Sequence, residues 1–143
     1  MEVTEAIQAE VLKVINRFTE SYQKRDLDGL MSLFPADDDL MLFGTNLDEV
    51  RQGRDELKSQ FERDWSQMDA LAINFTWHRV STAGSVAWVA SEGRAQGKVG
   101  GQEVEFPCRM TTVLENRNND WLIRQLHFAL PVTSQEEGSS VPV

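Results

Sequence analysis

Glu92 and Arg109 are the charged residues whose types and spacing best suit ligand chemistry in this 143-residue sequence. Side chains alternate along a strand, so Glu92 shares a face with Trp88 on one strand-like segment, and Arg109 lies on the next. A guanidinium group offers two parallel donors to a carboxylate or phenolate, but facing an apolar cavity it is costly unless paired. We therefore predict a buried or half-buried ion pair between Glu92 and Arg109, with Trp88 beside it. It would serve either as the polar part of a ligand site or as a purely structural pair.

His127 is a candidate proton shuttle, because an imidazole titrates near neutral pH. In the strand-like segment that contains His127, alternation puts three other residues on the same face: Trp121, Ile123 and Gln125. That face could instead meet a dimer partner, and a one-residue shift such as a β-bulge would exchange the two faces. Both orientations stay open. The other histidine, His78, has weaker support, and Cys108 is predicted to pack as a small core residue.

Metal and cofactor chemistry are not predicted. One cysteine and two histidines exclude an internal disulfide and a cysteine- or histidine-rich metal cluster. The acidic run 37–39 carries the carboxylates that hard cations prefer. Adjacent loop residues point in different directions, however, and no calcium-loop pattern follows. We interpret this run as a solvated loop.

The elements that must position these residues fall into two halves. Apolar residues at steps of three or four predict a long amphipathic helix over residues 4–24. A short second helix is predicted between the N-cap Asp26 and Pro35, followed by a buried strand at 40–44. A third helix begins at Gly53 and turns its apolar stripe inward.

Beyond Met68 the apolar period changes to two. Four strands are predicted, at 70–81, 86–97, 103–115 and 121–130. Their short connections contain Gly and Asn, which adopt the positive φ angles of tight turns. The result is an antiparallel meander with three helices on one face, an α+β arrangement.

Composition bounds the partners and the domain count. With 14 Lys+Arg against 23 Asp+Glu, the net charge of −9 argues against binding to nucleic acid or to anionic membranes. The length suits one domain, predicted over residues 1–132, followed by a mobile tail over 133–143 that is rich in Ser, Gly, Pro and Glu. The beginning of the sequence lacks the pattern of a signal peptide, so we predict a cytoplasmic protein.

The order helix–helix–strand–helix–four strands, with several local strings, resembles the nuclear transport factor 2-like superfamily and, within it, the SnoaL-like group. The matching strings are RDLDGL at 25–30 with Phe34, GRDEL at 53–57, VAWV at 86–89, CRMTTVLE at 108–115 and WLIRQLHFALP at 121–131. This resemblance implies a cystatin-like α+β barrel: a cone-shaped, curved antiparallel sheet wrapped around the long N-terminal helix, with three helices in total. It also implies an apolar pocket at the open end and a homodimer through the outer face of the sheet.

The ketosteroid isomerases of this superfamily need a carboxylate base and two acidic donors. The comparison places Phe43 at the position of the base, and Phe18 and Thr111 at the positions of the donors. Phenylalanine cannot accept a proton, so that specific chemistry is not expected. Tyr22, one helical turn after Phe18, could replace a donor or could simply end the apolar stripe.

Two functions remain open. One is a pocket for a small apolar or anionic molecule, with isomerase, cyclase or hydrolase-type activity. The other is a non-catalytic dimerisation or association domain. By the resemblance, the predicted ligand-binding residues are Tyr22, Phe43, Trp65, Trp88, Glu92, Arg109, Thr111 and His127.

Overall fold

The computed structural model describes residues 3–142. Within these residues the chain forms three helices and one six-stranded sheet. The helices are α1 (Glu5–Lys24), α2 (Leu27–Met31) and α3 (Gly53–Ser66). The strands are β1 (Met41–Phe43), β2 (Val50–Gln52), β3 (Ala70–Ala83), β4 (Val86–Val99), β5 (Gln102–Arg117) and β6 (Asp120–Ala129).

The helix boundaries follow local capping chemistry. The Thr4 hydroxyl accepts a hydrogen bond from the amide of Ile7 at the start of α1, and Arg25 ends that helix in the left-handed region with φ 57. The predicted cap Asp26 accepts from the amide of Gly29 at the start of α2. These contacts confirm the sequence prediction for both helix starts, although α2 ends at Met31, earlier than predicted.

The strands form one sheet in the order β2-β1-β6-β5-β4-β3, open at both edges. The four predicted long strands are confirmed, and they pair antiparallel. Two features differ from the expectation of a purely antiparallel sheet. Strand β1 pairs parallel with β6, because β1 arrives by a long connection rather than by a hairpin. The short strand β2, paired with β1, was not predicted.

The sheet curves strongly around α1. A β-bulge shifts the β3 register between Phe75 and Trp77, and a second one shifts β6 opposite Val113 and Leu114. At Gly93 the backbone of β3 passes so close that a Cβ atom would lie 2.0 Å from the carbonyl oxygen of Asn74. A side chain at this position is therefore incompatible with the observed curvature.

The core lies between the inner face of the sheet and the three helices. Its fully buried members include Val11 and Ile15 of α1, Leu57 of α3, Met110 of β5 and Ile123 of β6. The architecture is thus the predicted α+β fold, with a curved, unclosed sheet around the long first helix.

Residues 133–142 contain turns and bends but no helix or strand. The mobility predicted for 133–143 and the domain limits of 1–132 stay predictions, and Met1, Glu2 and Val143 lie outside the described residues. No helix within residues 3–142 is long and apolar enough to cross a membrane.

Candidate functional site

A cavity of about 250 Å³ opens at one end of the fold, between the last turns of α1 and α3 and the neighbouring ends of β3, β5 and β6. Most of its wall is apolar: Phe18, Leu42, Phe61, Met68, Leu71, Ile73, Phe106, Leu126, Phe128 and Leu130. Its polar lining is confined to Tyr22, Thr45, Glu49, Gln60, Asp64 and Gln67. This combination of an apolar wall and a few convergent polar groups is typical of small-molecule sites.

Helix α3 supplies the centre of the polar end. Leu57 and Phe61 are buried on its inner face, and helical spacing puts Gln60 and Asp64 beside them. Gln60 is only 2% exposed, and Asp64 is half-buried. Two polar side chains on the buried stripe of a helix are a signal that the sequence contains, but our sequence analysis missed it.

Four side chains form one hydrogen-bond network across α1, α3 and the loop between β1 and β2. The Tyr22 hydroxyl donates to Oδ2 of Asp64 at 2.8 Å. Nε2 of Gln60 donates to Oδ1 of Asp64 at 2.7 Å and to Oε1 of Glu49 at 2.8 Å. The other carboxylate oxygen of Glu49, Oε2, accepts from the Asn46 amide at 2.6 Å. Each carboxylate is therefore held by at least two donors.

Burial raises the pKa of the Asp64 carboxyl above its ordinary value, while the hydrogen bonds from Tyr22 and Gln60 oppose that rise. Burial, followed by the negative charge of Asp64, raises the pKa of the Tyr22 phenol far above its ordinary value. Tyr22 is consequently a permanent donor near neutral pH. Asp64 is a carboxylate whose basicity exceeds that of an exposed aspartate, which is the property that a general base needs.

The ends of α1 and α3 are tied together around this site. Nη1 and Nη2 of Arg25 donate to the carbonyl oxygens of Trp65 at 2.7 Å and of Met68 at 2.6 Å. The indole of Trp65 donates to the carbonyl oxygen of Tyr22 at 3.1 Å, and its ring packs against the ring of Tyr22. These contacts fix the distance between the two helices and hence the position of Tyr22 relative to Asp64.

Two of the eight predicted ligand-binding residues lie at this end of the fold. Tyr22 lines the cavity, and Trp65 packs directly behind it. Tyr22 ends the apolar stripe of α1, as one of its two alternatives held, and its hydroxyl donates to Asp64. Its role as a donor to a bound molecule stays a prediction.

The other six predicted residues, Phe43, Trp88, Glu92, Arg109, Thr111 and His127, lie on the outer face of the sheet, so their predicted orientation toward the pocket is wrong. The predicted ion pair exists, with Nε of Arg109 2.9 Å from Oε2 of Glu92. It is exposed, because 60% of the Arg109 side chain and 56% of the Glu92 side chain are accessible.

The physical reason is which of the alternating residues of β4 face inward. Its inward positions hold Ala87, Val89, Ser91, Gly93 and Ala95, which are small or medium-sized, and at Gly93 the β3 backbone leaves no room for a side chain. Trp88, Glu92 and Arg94 alternate with these residues and point outward.

The bulge in β6 decides the orientation of His127. Trp121 and Ile123 are buried, but the shift at Arg124 turns the strand over, so that Leu126 is buried and both Gln125 and His127 are exposed. The His127 ring lies 5.4 Å from the ring of Phe43, measured between centroids. Cys108 is fully buried, which confirms its predicted role as a core residue.

The comparison with the ketosteroid isomerases also assigned two strand positions that the structure shifts by one residue. On β1 the cavity is lined by Leu42 rather than Phe43, and on β5 the buried residue is Thr112 rather than Thr111. Phe18 does line the cavity. The carboxylates therefore come from α3 and from the loop after β1, where that comparison did not place them.

The acidic run after α2 is more constrained than the predicted solvated loop. Arg124 binds both carboxylate oxygens of Asp37, at 3.0 and 2.9 Å, and Oδ2 of Asp39 at 2.9 Å. These bonds hold the pKa of the Asp37 carboxyl below its usual range. Across residues 3–142, no three His, Cys, Asp or Glu side chains are grouped closely enough to hold a metal ion.

Solved structures similar to this chain share its fold. A nuclear transport factor 2-like superfamily protein from Salmonella enterica has a TM-score of 0.83 at 16% identity, over 96% of this chain and 99% of that one. A protein from Pseudomonas putida KT2440 described as NTF2-like and of unknown function gives 0.79 at 18%, over 94% and 93%. A protein from Streptomyces avermitilis named as a candidate dehydratase of the NTF2-like family gives 0.80 at 18%, over 90% and 99%.

At these identities the similarity shows the fold alone, and no curated protein matches the sequence significantly. The family model of the SnoaL-like domain, in contrast, matches residues 11–133, which is most of the chain. The protein therefore belongs to the SnoaL-like family, and it shares the fold of the nuclear transport factor 2-like structures.

Proposed function

We propose that the protein binds a small, largely apolar molecule in its cavity and that Asp64 acts on that molecule as a general base. The observation that carries this proposal is the half-buried Asp64 carboxylate on an otherwise apolar wall, held by Tyr22 and Gln60. The cavity of about 250 Å³ is close to the lower limit of about 300 Å³ for ligand pockets, so the molecule is compact.

The chemistry follows from the surroundings of Asp64. A carboxylate with a raised pKa removes a proton from bound substrate more readily than an exposed aspartate does. Tyr22 and Gln60 restrict its orientation, and most of the surrounding wall is apolar. Isomerisation, cyclisation, dehydration and hydrolysis can all begin with such a proton transfer. One structural relative carries a dehydratase name, which agrees with this class of reaction.

A compact probe reaction tests the base directly. The base-promoted ring opening of a nitrobenzisoxazole removes one ring C–H proton and breaks the N–O bond, which yields a coloured cyanophenolate. We expect the protein to accelerate this reaction, and Asp64→Asn to lower the rate by about 100-fold or more. The matched control is Glu62→Gln, which removes an equal charge from the exposed side of the same helix. A rate that survives Asp64→Asn, or that Glu62→Gln lowers equally, would refute the assignment.

A homodimer through the outer face of the sheet is a second proposal. Three aromatic side chains support it there, because Trp77 is 53% exposed, Trp88 46% and Phe43 37%. Exposed aromatic residues of this size are typical of interfaces. Light scattering should give twice the mass of the 16.2 kDa chain, and Trp88→Glu should lower it. A monomeric wild-type protein would exclude this interface.

A further inference from the structure

The polar end of the cavity differs from the anion site predicted from the sequence. Arg109 lies on the outer face of the sheet. Within residues 3–142, the residues that line the cavity include two carboxylates, Asp64 and Glu49, and no Lys, Arg or His. An anionic ligand would therefore meet like charge at the polar end of the cavity.

The donors nearest these carboxylates are already in use. The Tyr22 hydroxyl has one proton, and it goes to Asp64. The two Nε2 protons of Gln60 go to Asp64 and Glu49, and the Thr45 hydroxyl donates to Oε2 of Glu49 at 3.3 Å. A carboxylate offers about four acceptor positions, so acceptor capacity remains where donor capacity is consumed. A ligand group that binds the two carboxylates themselves must bring its own hydrogens.

The nearby arginines lie around the cavity but do not line it. Arg51 and Arg63 line a separate surface groove, to which Gln60 also contributes. From this groove, Nε of Arg51 donates to Oε1 of Gln60 at 2.7 Å. Arg63 is paired with Asp48 at 2.7 Å. Arg25 is bound to backbone carbonyl oxygens. These cations offset part of the negative charge from outside and leave the cavity side with acceptors.

We propose that the ligand carries a protonated nitrogen on an apolar body, and that its N–H groups bind Glu49 and Asp64. This inference rests on the proposed function, because it assigns the polar group of the molecule that the cavity takes. Both carboxylates contact the cation, and Asp64, next to the apolar wall, also accepts the proton that is transferred.

Three probes of nearly equal shape test the charge: phenethylammonium, 2-phenylethanol and phenylacetate, titrated into the protein by calorimetry at neutral pH. We expect the ammonium to bind about tenfold or more tightly than the alcohol, and phenylacetate to bind most weakly. Glu49→Gln should bring the ammonium affinity close to the affinity for the alcohol. Glu62→Gln, exposed on α3, should change none of the three.

The outcomes separate the two proposals. The proposal of a cationic ligand is wrong, and the proposed cavity function stands, in either of two cases. In the first, the alcohol binds and the ammonium binds no more tightly than the alcohol. In the second, Glu49→Gln still binds the ammonium more tightly than the alcohol. If none of the three binds, the proposed function fails with it. Should Glu49→Gln not fold, the wild-type protein provides the test through pH. The preference for the ammonium must then decline as the pH falls and the Asp64 carboxyl, which faces Tyr22, Gln60, Glu49 and Arg63, becomes protonated. A preference independent of pH would refute the proposal.

Discussion

Replacing Tyr22 by phenylalanine removes one hydroxyl group and no carbon, and Tyr22 is the only tyrosine of the chain. The hydroxyl donates to Oδ2 of Asp64 at 2.8 Å, and Tyr22 itself is 8% exposed. The substitution therefore leaves the packing of α1 against α3 in place. It deprives a half-buried carboxylate of one of its two side-chain donors.

The expected loss follows from the kind of bond. A hydrogen bond to a charged group contributes about 1.5–3 kcal/mol, and water can replace part of it because Asp64 is only half-buried. We expect Tyr22→Phe to lower the free energy of unfolding by about 1–2 kcal/mol, which lowers the Tm of a chain of this size by about 2–8 °C. The hydrogen bond from Tyr22 lowers the pKa of Asp64, so its contribution is greatest while Asp64 is ionised. The difference between wild type and variant should shrink as the pH falls through the pKa of Asp64.

Urea unfolding of both proteins, at neutral pH and in steps toward acid, measures this difference. The matched control is Thr112→Val, which removes a hydroxyl that is also buried but has no hydrogen-bond partner among the described residues. We expect that control to be neutral or stabilising by about 1 kcal/mol, because a buried unpaired hydroxyl costs free energy. Equal unfolding midpoints for wild type and Tyr22→Phe would show that the bond to Asp64 contributes nothing. A difference that persists unchanged in acid would show that ionised Asp64 is not the acceptor.

Three further predictions concern the same network, the curvature of the sheet and the loop before β1. In a near-ultraviolet pH titration, Tyr22 should not ionise at its ordinary pKa of about 10, and Asp64→Asn should make it ionise at lower pH than in wild type; ionisation near pH 10 in the folded protein would contradict its burial. Gly93→Ala should lower the free energy of unfolding by about 1–3 kcal/mol, because its Cβ would overlap a carbonyl oxygen of β3; a wild-type midpoint in urea would contradict the close approach. Arg124→Gln should raise the pKa of the Asp37 carboxyl, measured by NMR titration. The stability that Arg124 adds should be present at neutral pH and lost as the pH falls through the depressed pKa of Asp37 in the wild-type protein. An unchanged titration of Asp37 would contradict the ion pair.

The secondary structure was readable from the sequence because its signals are local. The three- and four-residue apolar steps of α1, the cap at Asp26 and the two-residue period of the long strands all survive in the structure. Strand β2 was missed because three residues, Val50–Gln52, are too few for a period to emerge. The parallel pairing of β1 with β6 joins segments that are far apart in the sequence, and no local pattern encodes it.

The candidate site was the part that sequence reasoning predicted least well. Alternation correctly put Trp88 and Glu92 on one face, but it does not say which face meets the helices. The bulge at Arg124, which exchanges the faces of β6, leaves no sequence signal strong enough to locate it. Gln60 and Asp64 were detectable in principle, as polar residues on the apolar stripe of α3.

The sequence by itself determined the three helices, the four long strands, their order and the family, because capping, periodicity and turn chemistry act over a few residues. Only the tertiary structure decided which side chains meet in the cavity. Tyr22, Glu49 and Asp64 come from three separate segments, and their carboxylates and hydroxyl become one network through distances of 2.7–2.8 Å. The pKa of Asp64 follows from the same arrangement, since burial is a property of the packed fold and not of the residue. The overall charge of −9 likewise did not indicate that the cavity would be acidic, because charge acts through position.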